Sequence, residues 1–287
     1  MYETPCELRI LQLTELELLL EIDRVCRLNN IKYSIIAGTL LGAVRHKGFI
    51  PWDDDLDVGM KRSQYEAFVD ACKRDLDHLR YYFQDQFNTP GYRWGYGKLR
   101  RHGTKFVRPG TEHLPYEQGV YVDVFPLDQV PNGWIGQAIC NFKCYYYRKV
   151  AWSVVGKNVE KNPVYRLMYS LLARIKPTTF NTKYAGFIEN LHRVPAKYLR
   201  QAGWVTKTAK GYSGYWLYKT EWLDNLKEFD FEGYSVFGLA DYDAQLRRNF
   251  GDYMTPVIYP PLTFTERILP PVAEINVHEH LKEQLDI

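Results

Sequence analysis

Four aspartates have the clearest chemical capacity in this chain. Asp53, Asp55 and Asp57 stand two residues apart, so an extended backbone carries all three on one face and puts Asp54, Leu56 and Val58 on the other. Same-face neighbours then lie roughly 7 Å apart at Cα, from a strand rise of ~3.3 Å per residue. At that spacing their oxygens can converge on one or two hard cations, and Mg²⁺ or Mn²⁺ prefers such ligands and bridges to substrate phosphates. The fourth, Asp123, sits among Val120, Val122, Val124 and Phe125. That is the composition of an interior strand, where a carboxylate is costly unless paired or bound to metal.

Upstream, the apolar-rich run Ile31 to Ile36 predicts a strand, Ala37-Gly38-Thr39 breaks it with small residues, and Leu40 to Arg45 begins a helix. Gly38 permits backbone angles that a side chain forbids, and the free N–H groups at the new helix's positive end attract an anion. Gly38 and Thr39 therefore form the expected phosphate seat. Either motif alone reads as a solvated acidic loop or an ordinary helix start; their succession in one stretch gives the nucleotide-and-metal reading. Arg45 lies between seat and acidic strand, where a cation would meet an anionic substrate, while His46 and Lys47 fit a solvated face equally well.

Lys98 and Arg100 flank Leu99 in an extended run and share a face. They would neutralise a pyrophosphate or form a basic edge strand guarded against aggregation, and both readings stand. Thr104 offers a further hydroxyl, Asp128 reads as a turn or capping residue, and Tyr92, Trp94, Tyr96 and Tyr121 are aromatic faces in the right segments for a quaternary ammonium.

The positioning elements follow from periodicity. Apolar residues from Leu8 to Leu28 recur at helical spacing and predict a packing helix that carries no chemistry, stopped at Asn29-Asn30. Arg62 to Leu79 predicts an amphipathic helix, and 81–107 strands interrupted at Pro90-Gly91. Residues 134–227 hold 16 Lys and Arg against 4 Asp and Glu, a net of +12 in a chain of +3 overall, with aromatics interleaved. Helical periodicity there, as at Val164 to Ile175, ends at Lys176-Pro177. With no nucleic-acid-binding motif, this segment suits an anionic membrane surface or a polyanionic or lipid-linked acceptor, the alternative being a helical subdomain with an ordinary wet face. A helix capped near Asp241 is followed by a turn at Gly251-Asp252-Tyr253.

Composition bounds the rest. The 287 residues, 46% hydrophobic and 25% charged, can bury a substantial core in one large or two smaller domains. Cys6, Cys26, Cys72, Cys140 and Cys144 are odd in number without CxxC spacing, and read as reduced thiols of a cytosolic protein. The N-terminus lacks the features of a signal peptide, and no run reaches the length of a membrane span. The expected location is cytoplasmic, with peripheral contact on the inner face of the plasma membrane.

The string GTLLGAVRHKGFIPWDDDLDVGM from Gly38 to Met60 resembles the LicD family, phosphocholine transferases related to fukutin-related protein. The resemblance continues at Lys98 to Phe106, Gly119 to Pro131 and Phe231 to Thr255. The glycine turn followed by Asp-apolar-Asp is similar to the nucleotidyltransferase fold of polymerase-beta type. The resemblance implies an α+β fold, with a mixed sheet flanked by helices. Its catalytic core would be 1–133, its basic-aromatic, mainly helical subdomain 134–227, and its C-terminal segment 228–287, packed back on the core. It also implies Asp55, Asp57 and Asp123 as catalytic carboxylates and metal ligands for Mg²⁺ or Mn²⁺, with Asp53 as a further ligand. Gly38, Thr39, Arg45, Lys98 and Arg100 would bind the donor. The donor implied is CDP-choline, and the acceptor a hydroxyl of a teichoic acid, lipopolysaccharide or lipid-linked precursor. Ribitol or glycerol phosphate transfer and a non-catalytic glycan- or lipid-binding module are the alternatives. After Pro260 the chain departs from the family pattern, so Arg267, His278 and His280 receive no role.

Overall fold

The computed structural model describes residues 6–255 apart from 109, 194, 205–206, 209–210 and 213–215. Arg267, His278 and His280 lie outside them. The chain runs α1 (Cys6–Leu28), β1 (Ser34–Ile35), α2 (Ala37–His46), β2 (Asp57–Lys61), α3 (Arg62–Asp75), β3 (Tyr81–Gln84), β4 (Gly97–Arg101) and β5 (Tyr121–Val130). Helices α4 (Trp134–Val159), α5 (Pro163–Leu172) and α6 (Pro177–Leu191) follow, then short strands β6 (Tyr198–Arg200), β7 (Lys207–Thr208), β8 (Gly211–Tyr212) and β9 (Tyr218–Lys219). The hairpin β10 (Leu226–Phe231) and β11 (Tyr234–Leu239) leads into α7 (Tyr242–Phe250).

The main sheet has the order β10-β11-β1-β2-β5-β4-β3, with β6 pairing β5 and β9 pairing β6. Its β1–β11 and β2–β5 pairs are parallel and the rest antiparallel, so the architecture is the expected α+β with a mixed sheet. Strands from all three sequence segments enter it: β6 and β9 belong to 134–227, and β10 begins at Leu226, one residue before the boundary drawn at 227. Helix α1 is the main packing helix. Leu8, Leu11, Leu16, Leu18, Leu19, Ile22, Val25 and Cys26 are buried in one core with Val58, Val122 and Val124 of the central strands. Helices α4 and α6 hold smaller clusters of their own, one built on Cys140, Cys144, Tyr184, Phe187 and Ile188.

Local chemistry explains where the elements begin. Pro177, expected to end a helix, occupies the first turn of α6, where its missing N–H costs nothing. Asn162 caps α5 by accepting from the N–H groups of Val164 and Tyr165. Asp128, expected in a turn, lies within β5 and is buried; it receives both Arg62 nitrogens at 2.8 Å and the His192 ring at 2.9 Å, tying α3 and the end of α6 to the strand. The carboxyl is held below its usual range because Arg62 and His192 outweigh the cost of burial. Cys26, Cys72, Cys140 and Cys144 are buried free thiols, and among the described residues no helix is long and apolar enough to cross a membrane.

Candidate active site

The site is built on the centre of the sheet. Register pairs Asp57 on β2 with Asp123 on β5, and Asp123 with Lys98 on β4. Paired residues on adjacent strands share a face ~5 Å apart, so these three side chains form a row across the sheet. Lys98 hydrogen-bonds to Asp123, and its ammonium sits 3.3 Å from the centre of the Tyr121 ring. Burial lowers the Lys98 pKa to about 8 although Asp123 opposes the shift. Arg100, one step along β4, donates to Gln84 at 2.8 Å and to the Gly119 carbonyl at 2.5 Å. Asp123, Lys98 and Arg100 are all buried, so both cations belong to the interior of the sheet and not to a basic edge.

Asp53, Asp54 and Asp55 precede β2 in irregular backbone, because the strand starts at Asp57. Strand alternation therefore does not govern them. Asp54, expected to point away, belongs to the same cluster: one oxygen from each of the three lies within 4.8 Å of the others. Arg108, from the loop between β4 and β5, donates to Asp54 at 2.7 Å and to the Tyr121 hydroxyl at 3.2 Å. Burial, then Asp54 and Asp123, push Asp55 up to about 6. Asp57 is raised well above the carboxylate range, first by burial and then by Asp55 and Asp123. A set of crowded carboxylates whose ionised forms repel one another fits a hard divalent cation, since oxygen donors are what such a cation takes.

A cavity of about 660 Å³ opens over this row. Asp54, Asp55, Asp57, Asp123, Lys98 and Arg100 line its floor, with Arg108 beside them. Arg148 and Trp152, one turn apart on α4, close one side, and Trp94, Tyr96, Tyr116, Tyr121 and Trp216 add aromatic walls. Tyr92, expected among those faces, is fully buried with its hydroxyl on the Tyr96 carbonyl, and it does not line the cavity.

The expected phosphate seat has a different anatomy. The left-handed residue is Ala37, at φ 51°, and it is Ala37 that reaches the cavity. Gly38 is needed for space: a Cβ there would stand 2.8 Å from Asp53 Oδ2. Thr39 is buried and its hydroxyl accepts the Asp57 N–H at 2.8 Å, locking α2 to the start of β2. Arg45 lies in the last turn of α2, about 12 Å along a helix of 1.5 Å rise per residue from Ala37. Its guanidinium donates to the Tyr253 carbonyl, and it is not a cavity residue. Thr104 is a brace as well, donating to the Arg101 carbonyl and accepting the Val120 N–H. Tyr253 donates to Asp243 of α7.

The sequence offered no signal for Arg108, which follows no periodic element. Arg148 and Trp152 were visible only as members of a long basic-aromatic run, although their i, i+4 spacing places them on one helical face.

A mixed sheet with carboxylates on adjacent central strands, entered through a turn and helix, defines a protein of nucleotidyltransferase fold. Residues 30–152 match the model of the LicD/FKTN/FKRP nucleotidyltransferase domain, so this part of the chain is similar to the LicD family. Over 249 residues it is 28% identical to the lipopolysaccharide cholinephosphotransferase LicD of Haemophilus influenzae, covering 86% of this chain and 91% of that protein. An uncharacterised protein of Rickettsia typhi is 54% identical over 71 residues, 25% of this chain and 19% of that one.

Proposed function

We propose that this chain transfers phosphocholine from CDP-choline to a hydroxyl of a cell-surface glycan, a lipopolysaccharide or teichoic acid, or of its lipid-linked precursor. The observation that carries the reading is the cavity itself, where a row of carboxylates, four cationic side chains and an aromatic wall meet in a volume suited to a nucleotide donor. The name of the Haemophilus influenzae relative supports the choline and the glycan.

Asp53, Asp54, Asp55 and Asp57 would hold Mg²⁺ or Mn²⁺, which when bound neutralises pyrophosphate charge. Lys98, Arg100 and Arg108 beside the carboxylates, and Arg148 from α4, would then face the donor phosphates. The acceptor oxygen forms its bond to the choline-bearing phosphorus as the bond to the CMP oxygen breaks, and CMP leaves with the electron pair. The acceptor proton passes to a carboxylate. Asp55 is the candidate, since burial and then Asp54 and Asp123 make it more basic than an ordinary aspartate before a cation binds. Asp123, the residue its position first suggests, already carries the Lys98 ammonium. Tyr121 likewise has Lys98 on its face, so the trimethylammonium group goes to Trp94 and Trp152, whose ring centres are 6.0 Å apart. That wall favours choline over ribitol or glycerol, which have no cation to place there.

The acceptor's membrane is also part of this reading. Helices α4 and α5 carry exposed apolar side chains among basic ones, a composition that suits peripheral contact with anionic lipid on the cytoplasmic side.

The deciding assay is CMP release from CDP-choline with Mg²⁺ or with chelator, for the parent chain, Asp55→Asn and Asp57→Asn, with and without a glycan or lipid-linked acceptor fraction. Acceptor- and metal-dependent release, reduced at least about 10²-fold in both variants, is expected, in line with the size of general base and electrostatic contributions. Consumption of CDP-ribitol or CDP-glycerol instead would replace the donor. Absence of turnover and of metal-dependent nucleotide binding with every CDP donor would leave a binding module.

A further inference from the structure

Helix α1 holds a carboxylate that packing does not explain. Glu15 is fully buried, and neither of its oxygens has a hydrogen-bond partner among the described residues. A buried carboxylate with no partner is among the most costly features a core can contain. Its neighbours on the helix differ in this respect. Glu17 receives the Tyr81 hydroxyl at 2.7 Å and Arg101 at 3.2 Å, and Glu21 is paired with Arg24.

The face of α1 that carries Glu15 is docked on the acidic loop. Gln12, one turn earlier and therefore on the same side, donates to the Asp53 carbonyl at 3.0 Å and to the Ile50 carbonyl at 3.4 Å. The charges that act most on Glu15 are those of Asp55 and then Asp54, with Arg108 opposing them and Asp53 adding a smaller share. The Gln12 bonds and these charges put Glu15 behind the cluster, outside the trio of Asp53, Asp54 and Asp55 whose oxygens approach within 4.8 Å. Arg108 reaches this group by donating to Asp54 at 2.7 Å, and the charge of Lys98 acts on Asp55 as well. Apolar packing of α1 would be served as well by leucine, the residue at eight other positions of the helix.

We propose that Glu15 belongs to the cation site, a further carboxylate drawn from behind to the divalent cation that Asp53, Asp54, Asp55 and Asp57 would hold, with α1 as the site's inner wall. This assigns chemistry to a helix that otherwise serves only to cover the sheet. It also explains why Gln12 ties α1 to the loop: a ligand on one element and those on another bind together only if the two are held in register. The inference rests on the reading of the acidic cluster as a cation site.

The test is Mn²⁺ binding to the full chain, followed by electron paramagnetic resonance of the free ion, together with thermal unfolding in chelator and in saturating Mg²⁺. Three chains are compared: the parent, Glu15→Gln and, as control on the same helix, Glu17→Gln. Glu15→Gln is expected to bind Mn²⁺ about tenfold or more weakly, as loss of a ligand or of its supporting shell does. In chelator it should melt no lower than the parent, because a buried carboxyl group without a hydrogen-bond partner has gone, and its gain in melting temperature from Mg²⁺ should shrink. Glu17→Gln, which loses the Arg101 pair, should melt lower and bind Mn²⁺ as the parent does. Glu15→Asp provides a second variant, retaining charge but not reach, with weaker binding expected. If Glu15→Gln and Glu15→Asp bind Mn²⁺ like the parent, Glu15 is not part of the site and the proposal falls. If the parent binds no Mn²⁺ at all, the cation site itself falls, and Glu15 with it.

Discussion

At the scale of single residues, the site is a problem of crowded charge. Asp53, Asp54, Asp55, Asp57, Asp123 and Glu15 share a small volume with Lys98 and Arg108, and burial first, then repulsion among the carboxylates, raises the pKa of Glu15, Asp55 and Asp57. For Asp55 the value is about 6 against an ordinary 3.8. A folded-state pKa above the unfolded value means that the native chain holds its proton over a pH range in which the unfolded chain has lost it. Stability from this group is therefore fully present below about pH 4 and declines as pH rises towards 6, at about 1.4 kcal/mol per pH unit at most. Urea denaturation in chelator at pH 4 to 7 should show this decline in the difference between the parent and Asp55→Asn, which removes the group. Mg²⁺ should remove the decline above pH 6 and lose affinity below it, as protons compete for the carboxylate. A flat difference across this range would show that Asp55 titrates as an ordinary surface acid.

At the scale of elements, the sequence carried most of the fold and only part of the site. Helix α1, the turn into α2, the amphipathic α3 and the valine-rich β5 were legible because each repeats apolar residues at its own period. Asp57, Asp123, Lys98 and Arg100 were legible because their charge interrupts such a period. What local pattern does not encode is which side of a tertiary contact a residue serves. Arg45 looked well placed between two motifs, yet it stands eight residues along the helix from Ala37 at the cavity and is delivered to Tyr253. Arg108 and Glu15 join the site through contacts across 54 residues for Arg108 and Asp54, and across the docking of α1 for Glu15. Gly38 was rightly singled out for the wrong reason: its missing Cβ makes room for Asp53, and Ala37 takes the left-handed angle. Gly38→Ala therefore presses on a carboxylate of the cluster. We expect it to cost about 1–3 kcal/mol in stability, the usual range for overpacking, and to weaken Mn²⁺ binding while leaving the far side of the sheet intact. Unchanged Mn²⁺ affinity in a folded Gly38→Ala chain would mean that Asp53 can swing away freely and has no part in holding the ion.

At the scale of the whole molecule, the proposed function raises the question of how a cavity at the centre of a sheet would meet an acceptor carried on lipid. Helix α4 has two working sides. Arg148 and Trp152 face the cavity, whereas Ile135, Ile139, Phe142 and Tyr146 are exposed and, at spacings of four, three and four, share a stripe on the other side at ~100° per residue. On α5, packed against α4, Val164, Leu167 and Leu171 make a second exposed stripe, with Leu167 63% accessible. Nine Lys and Arg against two Glu lie within 134–191. An apolar stripe among basic residues suits an interface of acyl chains beneath anionic headgroups, and the same geometry leaves the cavity side of α4 open to an acceptor lying on that membrane. The chain is expected to sediment with vesicles containing phosphatidylglycerol and much less with phosphatidylcholine alone, and to be released as salt rises and screens the attraction. Phe142→Glu with Leu167→Glu, both at exposed positions that the core does not use, should reduce sedimentation about tenfold or more, since each change removes apolar burial and adds a repelled charge. The double variant should keep its melting temperature and its turnover of CDP-choline with a water-soluble acceptor, and lose turnover only with a vesicle-borne one. Equal sedimentation of parent and variant would show that this face does not touch lipid. Sedimentation of neither, with vesicle-borne turnover intact, would make the stripe a docking place for a protein or for another segment of the chain.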